Sequence, residues 1–114
     1  MRIRSLRYDD VLLSQDTPVT PARHVVATRL GDELVLLDVD HGDYYSLNET
    51  AGRVWDLLTA AGNEGLTAHA AATQLGREYG NPGARVEADV CALVAHLSQA
   101  RLVVAAGAKA TRPR

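Results

Sequence analysis

The stretch LLDVDHGDYYSLNETAGRVWDLL, Leu36 to Leu58, constrains the fold more than any other part of the chain. It leaves room for only one local order: strand, tight turn, strand, helix. In ELVLLDV, Val35, Leu37 and Val39 share one face, while Leu34 and Leu36 share the other. Both faces are apolar, so cover on both is expected. Asp40-His41-Gly42 turns the chain. In DYYSL, Tyr45 and Leu47 face opposite to Tyr44 and Ser46. Asn48 then offers a side-chain oxygen to a free helix N–H. Ala51, Val54, Trp55 and Leu58 follow at i, i+3, i+4 and i+7, one apolar stripe.

The flanks extend the pattern. HVVATRL reads as a preceding strand, joined to ELVLLDV through a two-residue turn with glycine first, Gly31-Asp32. After the first helix, Gly62 suits a left-handed terminus. Thr67 caps a second helix whose inner face is small: Ala68, Ala71, Ala72 and Leu75. Tyr79-Gly80 ends it, and Pro82 stops continuation. A third helix spans about Ala84 to Ala100, with Val86, Val90, Leu93 and Leu97 on one stripe and Val94 beside it. RLVVAAG reads as a short extended return.

Three strands followed by three helices, with short joints, predict an α+β fold of winged-helix-like arrangement. A length of 114 residues suits one domain, and 46% apolar content suffices for a core. That core must be aliphatic, because the chain has no Phe and one Trp. Pro18 and Pro21 in SQDTPVTPAR predict irregular chain. The expected division is therefore an arm over 1–23, a domain over 24–104 and a flexible tail over 105–114. In the arm, Ile3, Leu6, Val11, Leu12 and Leu13 are free to dock somewhere.

Chemistry is sparse. His24, His41, His69 and His96 stand at no metal-ligand spacing from one another or from Cys91. Asp38, Asp40 and Glu49 match three positions of a calcium loop. Gly42 and Asp43 then stand where an oxygen ligand and a glycine are needed, so the loop reading fails. Cys91 sits in a helix without a neighbouring base and reads as a small hydrophobe. No nucleophile motif is present, so no catalysis, metal or cofactor is expected. A single cysteine cannot form an internal disulfide, which suits a reduced, cytoplasmic setting. Asp9 and Asp10 break the run a secretory signal would need, and no apolar stretch reaches membrane-spanning length.

A winged helix that reads DNA is the alternative. It needs basic or amide side chains on a recognition helix. The third helix carries Glu87 and Asp89 between Arg85 and Arg101, and residues 30–60 hold seven acids against Arg53 alone. That surface would repel a phosphate backbone. A structural subunit without a peptide ligand is a further alternative.

The block ELVLLDVDHGDYYSLNETAGRVWDLL resembles the PqqD family of small peptide chaperones. It shares a strand LVLLD, a turn with Gly42, the pair Tyr44-Tyr45, Leu47-Asn48, and a helix with Ala51 or Gly52 and Val54-Trp55. The resemblance runs from about His24 to Val104. It implies a RiPP recognition element that binds the leader of a ribosomally made precursor peptide and presents it to a leader protease, cyclase or radical enzyme. It also implies that the leader adds as a strand along Asp43, Tyr44, Tyr45, Ser46 and Leu47, against Val86, Asp89, Val90, Leu93 and Leu97 of the third helix. DYYSL has no proline or lysine to blunt its edge, which agrees with that mode. The chain has room only for the module and its arms, so a free-standing protein is expected, and its length and the LTAHAAATQLGREYG helix resemble the B1 proteins of lasso-peptide pathways. Nucleic acid and membrane are not expected as partners; a homodimer is left open.

Overall fold

A computed structural model describes residues 17–80 and 84–106. The elements run β1 (Val19–Pro21), β2 (Val25–Leu30), β3 (Glu33–Asp38), β4 (Asp43–Leu47), α1 (Glu49–Ala60), α2 (Ala68–Tyr79), α3 (Ala84–Gln99) and β5 (Val103–Ala105). A 3-10 turn, Gly62–Glu64, joins α1 to the segment before α2. The α+β architecture is thus present: an antiparallel sheet in the order β2-β3-β4, three helices, and a second sheet of β1 with β5.

Local chemistry explains the boundaries. Gly31 takes φ +61° at the first turn position, where a side chain would be strained. Asn48 accepts from the Ala51 N–H at 2.8 Å to start α1, and Thr67 accepts from the Ala70 N–H at 3.0 Å to start α2. Gly80 closes α2 in the left-handed conformation, φ +66°. Within α1, Gly52 faces β3; a Cβ there would lie 3.3 Å from the Leu34 Cβ, so this glycine sets how closely helix and sheet approach.

The core is aliphatic around one indole. Leu34 and Leu36 of β3, Leu47 of β4, Val54, Trp55 and Leu58 of α1, Leu75 of α2, Val94 and Leu97 of α3, and Leu102 all lie in it. Each large side chain buried here contributes on the order of 1.5–3 kcal/mol. An ion pair ties α1 to α2, with the Arg53 guanidinium donating to Glu78 at 2.7 and 2.8 Å.

Two expectations are corrected. The prolines at 18 and 21 do not make the chain irregular: Val19–Pro21 pairs with Val103–Ala105, and Val19 also exchanges hydrogen bonds with Leu66 at 3.0 Å. Pro21 stands at the end of its strand, where a missing donor does least harm. Val19 and Ala22 are buried, and the Ala106 N–H donates to the Pro18 carbonyl at 2.8 Å, so the folded body reaches beyond 24–104 at both ends. The expectations for 1–16, Pro82 and 107–114 lie outside the described residues. The second correction concerns the sheet. Its face carrying Leu34 and Leu36 is covered by helices. The opposite face, with Val26, Leu30 and Tyr44, is open among the described residues.

Candidate functional site: a free strand edge and its groove

β4 has β3 on one side and, among the described residues, no strand on the other. Which of its backbone groups are free follows from the register. The Val39 N–H donates to the His24 carbonyl at 3.0 Å, so 24 and 39 form a hydrogen-bonded pair. Antiparallel pairs alternate. Residues 33, 35 and 37 of β3 therefore bond toward β2, and Leu34, Leu36 and Asp38 bond toward Leu47, Tyr45 and Asp43. Tyr44 and Ser46 are left with N–H and C=O pointing away from the sheet.

The side chains of β4 divide the same way. Leu47 is buried and Tyr45 packs partly against the core. Burial first, then the charges of Asp43 and Asp38, raise the Tyr45 pKa, so its phenol stays neutral. Tyr44 is 72% exposed on the open face. There the Ser46 hydroxyl donates to Glu33 at 3.1 Å.

A groove of about 430 Å³ begins where β4 ends, at Asn48. α1 supplies Thr50, Ala51 and Val54; α2 supplies Leu75 and Tyr79; α3 supplies Val86, Asp89, Val90 and Leu93. The wall is apolar, and among the described residues Asp89 is its one charged side chain. Val86 and Leu93 are half-buried, Asp89 is exposed, and Val90 forms the floor at 3% exposure.

The structure thus brings Val86, Asp89, Val90 and Leu93 together, and sets the free edge of Asp43–Leu47 at the groove's end rather than in its lining. Leu97 differs from them: it is fully buried in the core and does not line this groove. It lies one helical turn beyond Leu93, where its carbonyl accepts the Leu102 N–H at 2.9 Å. Sequence reasoning missed the contribution of α1 and α2. Asn48 and Val54 read as a cap and a core residue, which they also are, and Leu75 read as core. Tyr79, a large aromatic 52% exposed at a helix end, was the one local signal available.

Among the described residues, no group of three His, Cys, Asp or Glu side chains is placed to hold a metal ion, and no helix is long and apolar enough to cross a membrane.

The family described as Coenzyme PQQ synthesis protein D (PqqD) matches residues 33–103, more than half of the chain. The solved structure of TbiB1 in complex with the TbiA(beta) leader peptide is similar at TM-score 0.62 and 27% identity, covering 74% of this chain and 93% of that one. A lasso peptide synthetase B1 complexed with its leader peptide shares the fold at TM-score 0.64 and 24% identity, covering 76% of this chain and 98% of that one. No curated protein matches the chain.

Proposed function

The chain belongs to the PqqD family, and from that premise we propose that it binds the leader segment of a ribosomally synthesised precursor peptide. The leader adds to β4 as a fourth strand, antiparallel or parallel to it, and sends side chains into the groove over α3. The observation that carries this reading is the junction of the two features: a free strand edge that runs directly into an apolar groove. Main-chain bonds to Tyr44 and Ser46 supply affinity without regard to sequence; the groove supplies selectivity. The likeness to TbiB1, whose solved structure is a complex with a leader peptide, supports leader binding.

Nothing in the groove is a nucleophile or an acid–base pair, so the role is to hold and present the peptide. A leader protease, cyclase or radical enzyme then acts on it. Duplex DNA fits poorly: Asp32, Glu33, Asp40 and Asp43 crowd the two ends of the sheet, and the guanidinium of Arg29, the one basic side chain on β2–β4, is engaged by Asp56 at 2.8 Å.

The test is a pair of titrations at matched salt, one with synthetic leader peptides of neighbouring precursor genes and one with duplex DNA. The expected result is saturable peptide binding that changes little with salt. Tight, salt-sensitive DNA binding with no peptide affinity would overturn the reading.

A further inference from the structure

The turn between β3 and β4 is held by one buried carboxylate. Asp38 occupies a core-facing position, in line with Leu34 and Leu36, and is 3% exposed. An apolar residue would ordinarily stand there. Its Oδ1 accepts the N–H groups of Asp40 at 3.0 Å and His41 at 3.1 Å, and its main-chain carbonyl accepts the Gly42 N–H at 2.7 Å. With Val39 bonded to His24, all four N–H groups of the turn 39–42 have an acceptor, and three of them donate to two oxygens of Asp38. Its Oδ2 meets the His41 Nδ1 at 2.9 Å. The buried Nε2 of His24, which lacks a hydrogen-bond partner, lies 3.8 Å from the same oxygen.

The next strand needs such a device. β4 begins at Asp43, opposite Asp38, and its outward backbone groups belong to Tyr44 and Ser46 only in this register. A slip of one residue would exchange every face and every outward group. The sequence resists that slip weakly at the first half of β4, because it would replace Tyr45 by Tyr44. Only Leu47, against Ser46, discriminates through burial.

We infer that Asp38 is a positioning residue which fixes the register of β4 and so decides which backbone groups meet the peptide. The inference rests on the leader-binding role for its consequence, but not for its structural half. Asp38 keeps its carboxylate although buried, because bonds from the turn replace lost water. It does not touch the peptide.

The experiment compares Asp38→Ala, Asp38→Ser and Asp38→Asn with the wild-type chain by two readouts. Backbone amide exchange in the free protein should show Tyr45 and Leu47 protected and Tyr44 and Ser46 not. Asp38→Ala should erase that contrast and weaken leader binding about tenfold or more. Asp38→Asn keeps an oxygen for the Asp40 and His41 N–H groups and should restore affinity to within about threefold. Asp38→Ser, with one short acceptor, should fall between, and it stands in if the alanine variant does not fold. A preserved exchange contrast in the alanine or serine variant would overturn the inference. So would equal losses in Asp38→Asn and Asp38→Ala, because charge rather than turn geometry would then carry the effect. Absence of leader binding by the wild-type chain would sink the proposed function and leave the exchange result standing.

Discussion

Among the described residues the three-stranded sheet has two free edges, β2 and β4, and they differ in what lies beside them. By the same alternation, β2 leaves Ala27 and Arg29 with N–H and C=O pointing outward, while the Val25 N–H donates to the Ala22 carbonyl at 3.2 Å. Its helix-side side chains at 27 and 29 are exposed, and Arg29 spends its length reaching Asp56 on α1. A strand added there would find hydrogen bonds and no pocket. β4 instead opens at Asn48 into an apolar groove with one acid on its rim. An exposed edge is common and is a liability. What makes one edge a recognition site is the groove that reads alternate side chains of the added strand.

The comparison breaks first at the groove. Leu93→Asp places a charge on the wall at a half-buried position, where desolvation on peptide binding costs about 2–3 kcal/mol, or roughly 100-fold in affinity. Calorimetric titration should show that loss with little change in Tm. Val90→Asp is the contrasting variant. Val90 is both groove floor and core, so a charge there should unfold the chain as well as abolish binding.

The edges themselves give the next effect. Ser46→Pro removes an outward donor without touching the β3–β4 ladder, and should weaken leader binding about tenfold in a folded protein. Ala27→Pro makes the equivalent change on β2 and should leave leader affinity unaltered. Equal losses from both would show that the added strand does not discriminate between the edges. Tyr45→Pro is not an equivalent probe, because the Tyr45 N–H bonds inward toward Leu36 and its loss damages the sheet.

What was legible in the sequence was local. β3, β4 and the Asn48 cap of α1 follow from alternation, one turn and one stripe within a couple of dozen residues, and they form as read. β1 was illegible because its partner stands more than eighty residues away, at Val103–Ala105, while the nearby prolines argue for a loop. Leu93 and Leu97 show a subtler limit. Both lie on one stripe of α3, and periodicity reports the face a residue shares, not how deep the helix sits along its length. Leu93 ends at the groove, and Leu97 ends in the core beside Leu102. The walls from Tyr79 and Leu75 depend on how α2 packs on α3, which no local pattern encodes.

Asp89 sharpens the comparison more gently. It is exposed on the groove rim, so a contact with a basic or amide group of the leader would be screened and worth about 0.5–1 kcal/mol. Asp89→Asn should weaken binding about two- to fivefold at low salt, and the difference should shrink at high salt. A loss that persists at high salt would point to a hydrogen bond instead of a charge.

The smallest effect concerns pH and belongs to the β4 edge alone, since β2 has no buried acid at its turn. Burial alone would raise the pKa of Asp38. The His41 side chain and N–H, the charge of His41 and the Asp40 N–H outweigh that and hold it below its ordinary value of 3.8. A carboxyl with a lowered folded pKa stabilises the fold fully above the unfolded value and loses that contribution as pH falls through the folded one. The Glu78 carboxyl, lowered by the hydrogen bond from Arg53, carries the same sign but is more exposed and clamps α1 to α2, away from the strand edge. Acidification from about pH 6 to about pH 3 should therefore lower Tm in the wild-type chain more than in Asp38→Asn. Amide exchange should locate the extra loss at Asp40 and His41, whose N–H groups bond to the carboxylate, before it appears at the β2–β3 turn. Parallel loss at both turns would mean that acid acts through the charge of the whole molecule and not through this carboxylate.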